Sequence, residues 1–268
     1  MTAPHTDPSR NVSKTNSRSA DLDTTKSTGM ALHGGMLTPS LAKLIDQLGN
    51  GVPLNVSDVF GSALAFLLVH IRERLKRPVV LVTKGPREIE EMAVDIETLG
   101  GEGSVACFPA WETLPGEELE PHPDISGERF LLMERLAVEG SNDDSAPLII
   151  VTSLHALSQK APLPCVFSSE ILRLVPGVSV ARDSLLRYLE EGGYLRVDMV
   201  ENKGEYPVRG GIVDLFSPTA EYPLRIEFIG DEIETIRQFQ PRSQRTVSEI
   251  AEGLITPVSE LTLLRRHG

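Results

Sequence analysis

Apolar residues follow two successive patterns along the chain. Between residues 57 and 152, amphipathic stretches of helical period alternate with short apolar runs. Helices are predicted at residues 57–75, 87–99 and 128–138, and strands at residues 79–82, 105–108 and 148–152. Ser57 is the expected N-cap of the first helix, and the strand at 79–82 is expected to be buried on both faces. This alternation is typical of a parallel sheet with helices on its faces.

After about residue 166 the pattern changes. One helix is predicted at residues 182–191, and antiparallel strands are predicted at residues 197–200, 211–216, 224–229 and 233–239. Gly230 and Asp231 supply a turn, so the last two strands should form a hairpin. In the strand at 224–229 every second residue, beginning with Leu224, is apolar and predicts a core face. Arg225, Glu227 and Ile229 are therefore expected on the solvent side.

These patterns predict an α/β fold with two unequal parts. A parallel, helicase-like sheet domain of a degenerate P-loop type is followed by a smaller α+β domain with an antiparallel sheet. Residues 1–36 are rich in Ser, Thr, Asp and Lys and are poor in aromatic residues. Such a segment cannot bury enough apolar surface to offset its ordering entropy, so it is predicted to be a disordered tail.

Charge, hydropathy and cysteine content argue against several classes of protein. A formal net charge of −12 argues against a chain that coats nucleic acid, although it leaves room for a local basic patch. No run of about 18 apolar residues predicts a membrane-spanning helix, and no secretory signal is evident, so a cytoplasmic location is expected. Cys107 lies in an apolar run and is interpreted as a small buried hydrophobe, far from Cys165.

The motifs of nucleotide hydrolysis are missing from the sequence. A P-loop requires G-x-x-x-x-G-K-[ST], because its lysine neutralises the phosphates, yet the chain contains no Gly-Lys pair. Just before the first helix, where the motif is expected, the sequence reads Phe60-Gly61-Ser62-Ala63-Leu64-Ala65. ATP hydrolysis is therefore not expected there. His122 is interpreted as a loop residue, and no catalytic residue, cofactor or metal site is predicted.

Two long stretches resemble a known family. The first is Phe108-Pro-Ala-Trp-Glu-Thr-Leu-Pro115, followed by Pro121-His-Pro-Asp-Ile125 and Arg129. The second includes Gly204-Glu-Tyr206, Arg209-Gly-Gly-Ile-Val-Asp-Leu-Phe216 and Arg225-Ile-Glu-Phe228. Together they resemble the N-terminal UvrB-homology module of the bacterial transcription-repair coupling factors. Trp111, the single tryptophan, is interpreted as a buried anchor within the first stretch.

The resemblance implies a division of the chain and a partner. Residues 37–166 would correspond to a degenerate UvrB-like domain 1a, residues 167–250 to the UvrA-binding domain 2, and residues 251–268 to a truncated start of domain 1b. Members of the family recruit UvrA for nucleotide excision repair at stalled transcription complexes. Their contacts with RNA polymerase and DNA, and their ATP-driven translocase, belong to domains absent from this chain.

Three residues are expected to bind UvrA. By the resemblance, Arg209 and Arg225 match arginines that contact UvrA, and the planar guanidinium suits such an interface. Ile229 stands where some members carry an aromatic residue, so it keeps apolar area but loses ring stacking. The competing interpretation is that the arginines are ordinary surface residues, paired with glutamates at positions 205, 227 or 234.

Two other functions stay open at the level of sequence. Residues 37–160 could retain nucleotide binding as a helicase-like half-domain of an ATP-dependent translocase, although the missing Gly-Lys argues against it. Alternatively, the module could mainly cover and restrain the rest of a longer protein. The second alternative is compatible with UvrA binding, because one surface can be masked in one state and exposed in another.

Overall fold

The computed structural model describes residues 39–113, 119–139 and 148–267, so the predicted tail at residues 1–36 lies outside the described residues. The helices are α1 (Pro39–Gly49), α2 (Ser62–Leu75), α3 (Pro86–Gly100), α4 (Pro123–Glu139), α5 (Leu154–Ser158), α6 (Pro164–Ser169), α7 (Arg182–Glu191) and α8 (Glu260–His267). The strands are β1 (Val79–Thr83), β2 (Val105–Phe108), β3 (Ile149–Ser153), β4 (Leu172–Leu174), β5 (Leu195–Arg196), β6 (Glu205–Tyr206), β7 (Val208–Arg209), β8 (Ile212–Leu215), β9 (Leu224–Ile229), β10 (Glu232–Phe239), β11 (Thr246–Glu249) and β12 (Gly253–Ile255). Within the described ranges, no helix is long and apolar enough to cross a membrane.

The first part of the chain contains a parallel sheet, as the alternating pattern predicts. Its order is β1-β3-β2, and Ile149 of the central strand is in register with Val79 and Val105 on either side. Helices α2 and α3 pack on one face, where Ile149 and Val151 meet Val69, Ile89 and Ile96. Helices α4 and α6 cover part of the other face around Phe108. The mixed α/β fold, with parallel and antiparallel sheets, is confirmed.

Two predictions for this part are wrong in detail. Strand β1 is an edge strand whose second face stays open, with Val80 54% and Val82 48% exposed. The reason is that α4 packs over β2, at the opposite edge of the sheet. Helix α2 begins at Ser62 rather than at residue 57, because Gly61 adopts a positive φ of 57° directly before it. Ser57 is therefore not the N-cap.

The second part contains a five-stranded antiparallel sheet of order β11-β10-β9-β8-β7. The predicted hairpin is confirmed: β9 and β10 pair with Ile229 opposite Glu232, and Gly230 takes a left-handed φ of 65° in the turn. Helix α7 contributes Leu185 and Leu189 to the core beneath this sheet. One predicted strand is wrong, because residues 197–200 form a loop whose Val200 packs into a small separate cluster.

Residues 253–258 complete the core of the second part. Strand β12 pairs with β4, with Gly253 opposite Leu174, and neither strand is evident from the sequence pattern. Ile255 and Val258 join the same core as Leu185 of α7. The chain beyond residue 250 thus continues the packing of the antiparallel part, whereas the domain boundaries at residues 166 and 250 stay predictions.

A buried cluster around Glu260 joins the two parts. The indole Nε1 of Trp111 and the Nε of Arg129 both donate to Glu260 Oε2, at 2.6 Å each. Arg129 also donates to the carbonyl oxygen of Pro109 at 2.8 Å and lies 3.9 Å above the ring of Phe108. The side chains of Arg129 and Glu260 are fully buried. Trp111 is therefore a buried anchor, as expected, and its partner is a carboxylate 149 positions away.

Burial and ion pairing have opposite effects on the pKa values of Glu260 and Arg129. Burial raises the pKa of the Glu260 carboxyl and lowers the pKa of the Arg129 guanidinium, because each charged group loses its water. The charge of the other partner and the hydrogen bond between them oppose both shifts. Each charge therefore depends on the other for its stability in this position.

Helix α4 also approaches the antiparallel part closely at Gly127. A Cβ atom at this position would lie 2.2 Å from the carbonyl oxygen of Pro218, so any other residue would push the helix away from the backbone it contacts. Near the start of the same helix, Asp124 pairs with Lys203 at 3.2 Å. The contact between the two parts therefore includes close backbone packing as well as the buried ion pair.

We predict that Glu260→Ala lowers the free energy of unfolding by about 3–5 kcal/mol, because it leaves the buried Arg129 without a counterion. The matched control is Glu249→Ala, which breaks an exposed pair with Arg237 and should cost less than about 1 kcal/mol. Denaturant unfolding followed by the fluorescence of Trp111 measures both. Equal stability of the two variants would contradict the role assigned to Glu260.

Candidate functional site

The five-stranded sheet presents one face to the core and the other away from it, and we call the second the outward face. Residues directly opposite one another in an antiparallel pair project from the same face. The register of β7 to β10 therefore places nine residues there: Arg209, Ile212, Asp214, Arg225, Glu227, Ile229, Glu232, Thr235 and Arg237. Each of the three residues predicted to bind a partner lies on this face, and the structure brings them into one region.

Arg225 is held tightly within this face. Its Nε and Nη2 donate to the two carboxylate oxygens of Asp214, at 2.8 Å each, so the pair is bidentate. Its Nη2 also donates to Gln244 Oε1 at 2.9 Å, and its guanidinium lies 4.5 Å from the centre of the Phe239 ring. The hydrogen bond to Asp214 raises the pKa of Arg225. The side chain is 22% exposed, so its expected place on the solvent side of β9 is correct but only partly open.

The partner of Arg225 differs from those considered in the sequence. Glutamates at positions 205, 227 and 234 were the candidates, whereas the structure pairs it with Asp214, directly opposite on β8. Glu227 instead binds Arg237 at 3.0 Å. Asp214 is buried, and each of its carboxylate oxygens accepts a hydrogen bond from Arg225. The alternating pattern of β8 and the register of β9 together would have indicated this pair.

Arg209 is exposed and much less engaged. It lies on the edge strand β7 opposite Ile212, and its Nη2 donates to the backbone carbonyl oxygen of Asp198. Among the described residues, no carboxylate lies within 4.0 Å of its guanidinium. Glu205, one of the candidate partners, accepts hydrogen bonds from the backbone of residues 201 and 202 instead. Arg209 is thus an arginine of this face whose charge no described side chain balances.

Two exposed isoleucines share the outward face with Arg209. Ile229, at the end of β9, is 65% exposed, and Ile212 on β8 is 37% exposed. Ile212 lies directly opposite both Arg209 on β7 and Glu227 on β9. It is not among the residues singled out from the sequence, although it has the same phase as Asp214 in the alternation of β8. Exposed apolar side chains next to an unbalanced arginine are features of a protein-binding surface.

The place where a P-loop would lie has different chemistry. Ser62 begins α2 and donates from its Oγ to Asp95 Oδ2 at 2.9 Å. A cleft of about 360 Å³ next to it is lined by apolar side chains such as Phe60 and Leu64, and by Lys84, Glu88 and Glu91. Two carboxylates and one lysine on its rim do not favour a triphosphate. In the part of the chain that the structure describes, no group of His, Cys, Asp or Glu residues could hold a metal ion.

Comparison with known families identifies the antiparallel part. The family model described as "UvrB interaction domain" matches residues 172–261, which run from β4 through the outward face to the start of α8. The chain carries a UvrB interaction domain. The match includes Arg209, Ile212, Arg225 and Ile229, and it ends just after the buried Glu260.

The chain is also similar over most of its length to proteins of one named family. Proteins named "transcription-repair-coupling factor" match from Mycobacterium bovis (38% identity over 79% of this chain), Myxococcus xanthus (34% over 83%) and Escherichia coli (30% over 76%). The resemblance to that family is therefore confirmed. The chain spans 17–19% of the length of these three relatives.

We predict that Arg225→Ala destabilises the UvrB interaction domain by about 3 kcal/mol, because Asp214 would remain buried without a counterion. Replacing both members, as Asp214→Asn with Arg225→Gln, should restore most of the loss, since no buried charge remains. Chemical denaturation of the two variants and the wild-type chain measures this. Similar losses in the single and paired variants would contradict the explanation.

Proposed function

We propose that this chain is a non-catalytic module that binds UvrA through the outward face of its UvrB interaction domain. The observation that carries the proposal is the position of Arg209 and Ile229, which lie exposed on one face of the matched domain. Arg225 lies on the same face and belongs to the proposed site. The match to the UvrB interaction domain supports an interaction with a UvrA-like repair protein.

In the longer factor, the module would connect transcription with repair. Its relatives are named transcription-repair-coupling factors, and we propose that the module recruits UvrA to stalled transcription complexes when it is part of such a protein. Contacts with RNA polymerase and DNA would belong to other domains of the factor, in the cytoplasm. We retain as part of the proposal the division into a degenerate domain 1a at 37–166, a UvrA-binding domain at 167–250 and the start of domain 1b at 251–268.

The chemistry of the face suits a protein partner. An exposed guanidinium can bind a carboxylate through two parallel hydrogen bonds, and it tolerates burial in an interface better than an ammonium group does. An apolar side chain beside it adds area that becomes dry on binding. Since a few arginine and apolar anchors often dominate the binding free energy, a small face of this kind is sufficient for a specific complex.

A non-catalytic role is supported by the start of α2. The Gly-Lys pair that would neutralise phosphates is absent, and the hydroxyl of Ser62, at the helix start, is engaged with Asp95. We expect the purified chain to release no phosphate from ATP above background in a coupled phosphate assay. Release that saturates with ATP and disappears in Lys84→Ala would overturn this part of the proposal.

We predict that Arg209→Ala weakens binding to UvrA by at least about 30-fold, which corresponds to about 2 kcal/mol for an arginine at the centre of an interface. Isothermal titration calorimetry of the purified chain with purified UvrA measures the affinity. The matched control is Arg173→Ala, an exposed arginine on β4 that pairs with Glu252, away from the outward face. Its affinity should equal that of the wild type.

The titrations test the proposed function and the proposed binding site independently. Absence of binding by the wild-type chain would contradict the proposed function. Binding by the wild type that Arg209→Ala and Arg173→Ala reduce equally would contradict the assignment of the outward face.

A further inference from the structure

We propose that a groove on the parallel part of the chain binds a basic segment of a second protein, in which a lysine or an arginine stands beside a large apolar side chain. The groove lies between the start of α2 and helix α3, and we call it the α2–α3 groove. Its lining residues lie between positions 59 and 95, outside the UvrB interaction domain at residues 172–261. The proposal is therefore independent of the proposed binding of UvrA.

The α2–α3 groove consists of two adjoining clefts of about 360 and 480 Å³. Gly61, Glu91 and Met92 line both clefts, so the two meet where the chain enters α2. The hydroxyl of Ser62, the first residue of α2, donates to Asp95 Oδ2 of α3 at 2.9 Å. This hydrogen bond links the two sides of the groove.

Each cleft has an exposed apolar side chain in its lining. Phe60 lines the first cleft and is 76% exposed, and Val94 lines the second and is 64% exposed. Leu64 and Met92, by contrast, pack in the core beneath α2 and α3. A partner that covers Phe60 and Val94 would remove both side chains from water, which favours binding. The groove therefore suits a partner with a large apolar side chain.

The charged residues of the α2–α3 groove are mostly acidic. Among the described residues, its lining contains four carboxylates and a single lysine: Glu88, Glu90, Glu91, Asp95 and Lys84. Arg87 pairs with Glu91 at 2.8 Å, so the four carboxylates against Lys84 and Arg87 leave a net charge of −2. Glu88 and Glu90 form no ion pair with a described residue. A cationic side chain of a partner would thus gain a carboxylate without breaking an ion pair.

A second protein suits the groove better than two occupants that the chain itself could supply. A second copy of the chain would bring a net charge of −12 towards an acidic groove. Residues 1–36 contain four basic and three acidic side chains, so a net charge of +1 gives them little complementarity to it. Because complementary charge determines which partner is favoured, the groove selects a more strongly basic segment.

The test uses three blocked tripeptides as probes: acetyl-Arg-Phe-Arg-amide, acetyl-Glu-Phe-Glu-amide and acetyl-Arg-Ala-Arg-amide. Each is titrated into the whole chain, and the methyl nuclear magnetic resonance signals of Leu64, Met92 and Val94 report binding. Val247, which is exposed on β11, is the reference. The first peptide should bind at least about fivefold more tightly than the second, because its charges are complementary to the groove. It should bind at least about tenfold more tightly than the third, because the third lacks the phenyl ring.

Matched variants then locate the binding site of the first peptide. Glu88→Gln with Glu90→Gln removes two unpaired carboxylates from the groove and should weaken binding about threefold or more at low salt. Glu97→Gln with Glu102→Gln removes the same charge outside the groove and should leave the affinity unchanged.

The apolar contact is tested in the same way. Phe60→Ala should weaken binding at least about fivefold, because apolar area is lost from the groove. Leu195→Ala changes a side chain of the antiparallel part that is 64% exposed and should have no effect. The melting temperature of each variant shows whether it is folded.

Several results would overturn the proposal. One is equal affinity for the arginine and glutamate peptides, or the absence of any shift at Leu64, Met92 and Val94. Another is an equal loss of affinity in the groove variants and their controls. Self-association of the chain that Phe60→Ala removes would assign the groove to a second copy. A higher peptide affinity in Lys14→Gln with Arg18→Gln would assign it to residues 1–36 instead of a second protein.

Discussion

The buried carboxylate of Glu260 is the constraint on which the rest of the structure depends. It accepts hydrogen bonds from Trp111 and Arg129, which belong to the parallel part, while Glu260 itself follows the strand β12 that completes the antiparallel part. Removing one partner of a buried ion pair costs more stability than replacing both partners with apolar residues. The two charges therefore hold each other in one geometry. Close packing of Gly127 against Pro218 strengthens the same junction. The UvrB interaction domain is therefore displayed from a fixed base.

A second ion pair, between Asp214 and Arg225, fixes two neighbouring strands of the outward face of that domain. Asp214 and Arg225 join neighbouring strands, and the guanidinium of Arg225 lies over the ring of Phe239, which belongs to a small buried cluster. Arg225 is therefore occupied by its ion pair with Asp214. Arg209, at the edge of the face, donates a hydrogen bond only to a backbone oxygen among the described residues. Internal pairing thus distinguishes the two arginines of the proposed site, because Arg225 is held by an ion pair within its own domain and Arg209 is not. A surface can therefore be selective even when its net charge is small.

The sequence predicts those parts of the fold that depend on residues close together in the chain, and it misses those that depend on residues far apart. The hairpin of β9 and β10 depends on local alternation and on one glycine turn, and the sequence therefore predicts it closely. The open face of β1 and the pairing of β12 with β4 depend on contacts between distant residues, so local patterns do not reveal them. The same limit applies to the site: alternation places Arg225 on the outward face, whereas its partner Asp214 follows only from the strand register.

The most direct test of the account is a nuclear magnetic resonance titration of the isoleucine methyl groups with UvrA. Isoleucines occur on the outward face, in the core beneath it and in the parallel part, so one spectrum samples all three regions. We predict that the signals of Ile212 and Ile229 shift or broaden at substoichiometric UvrA, while those of Ile45, Ile89 and Ile96 stay unchanged. Unchanged signals of Ile212 and Ile229, with changes confined to the parallel part, would contradict the assignment of the UvrA-binding face.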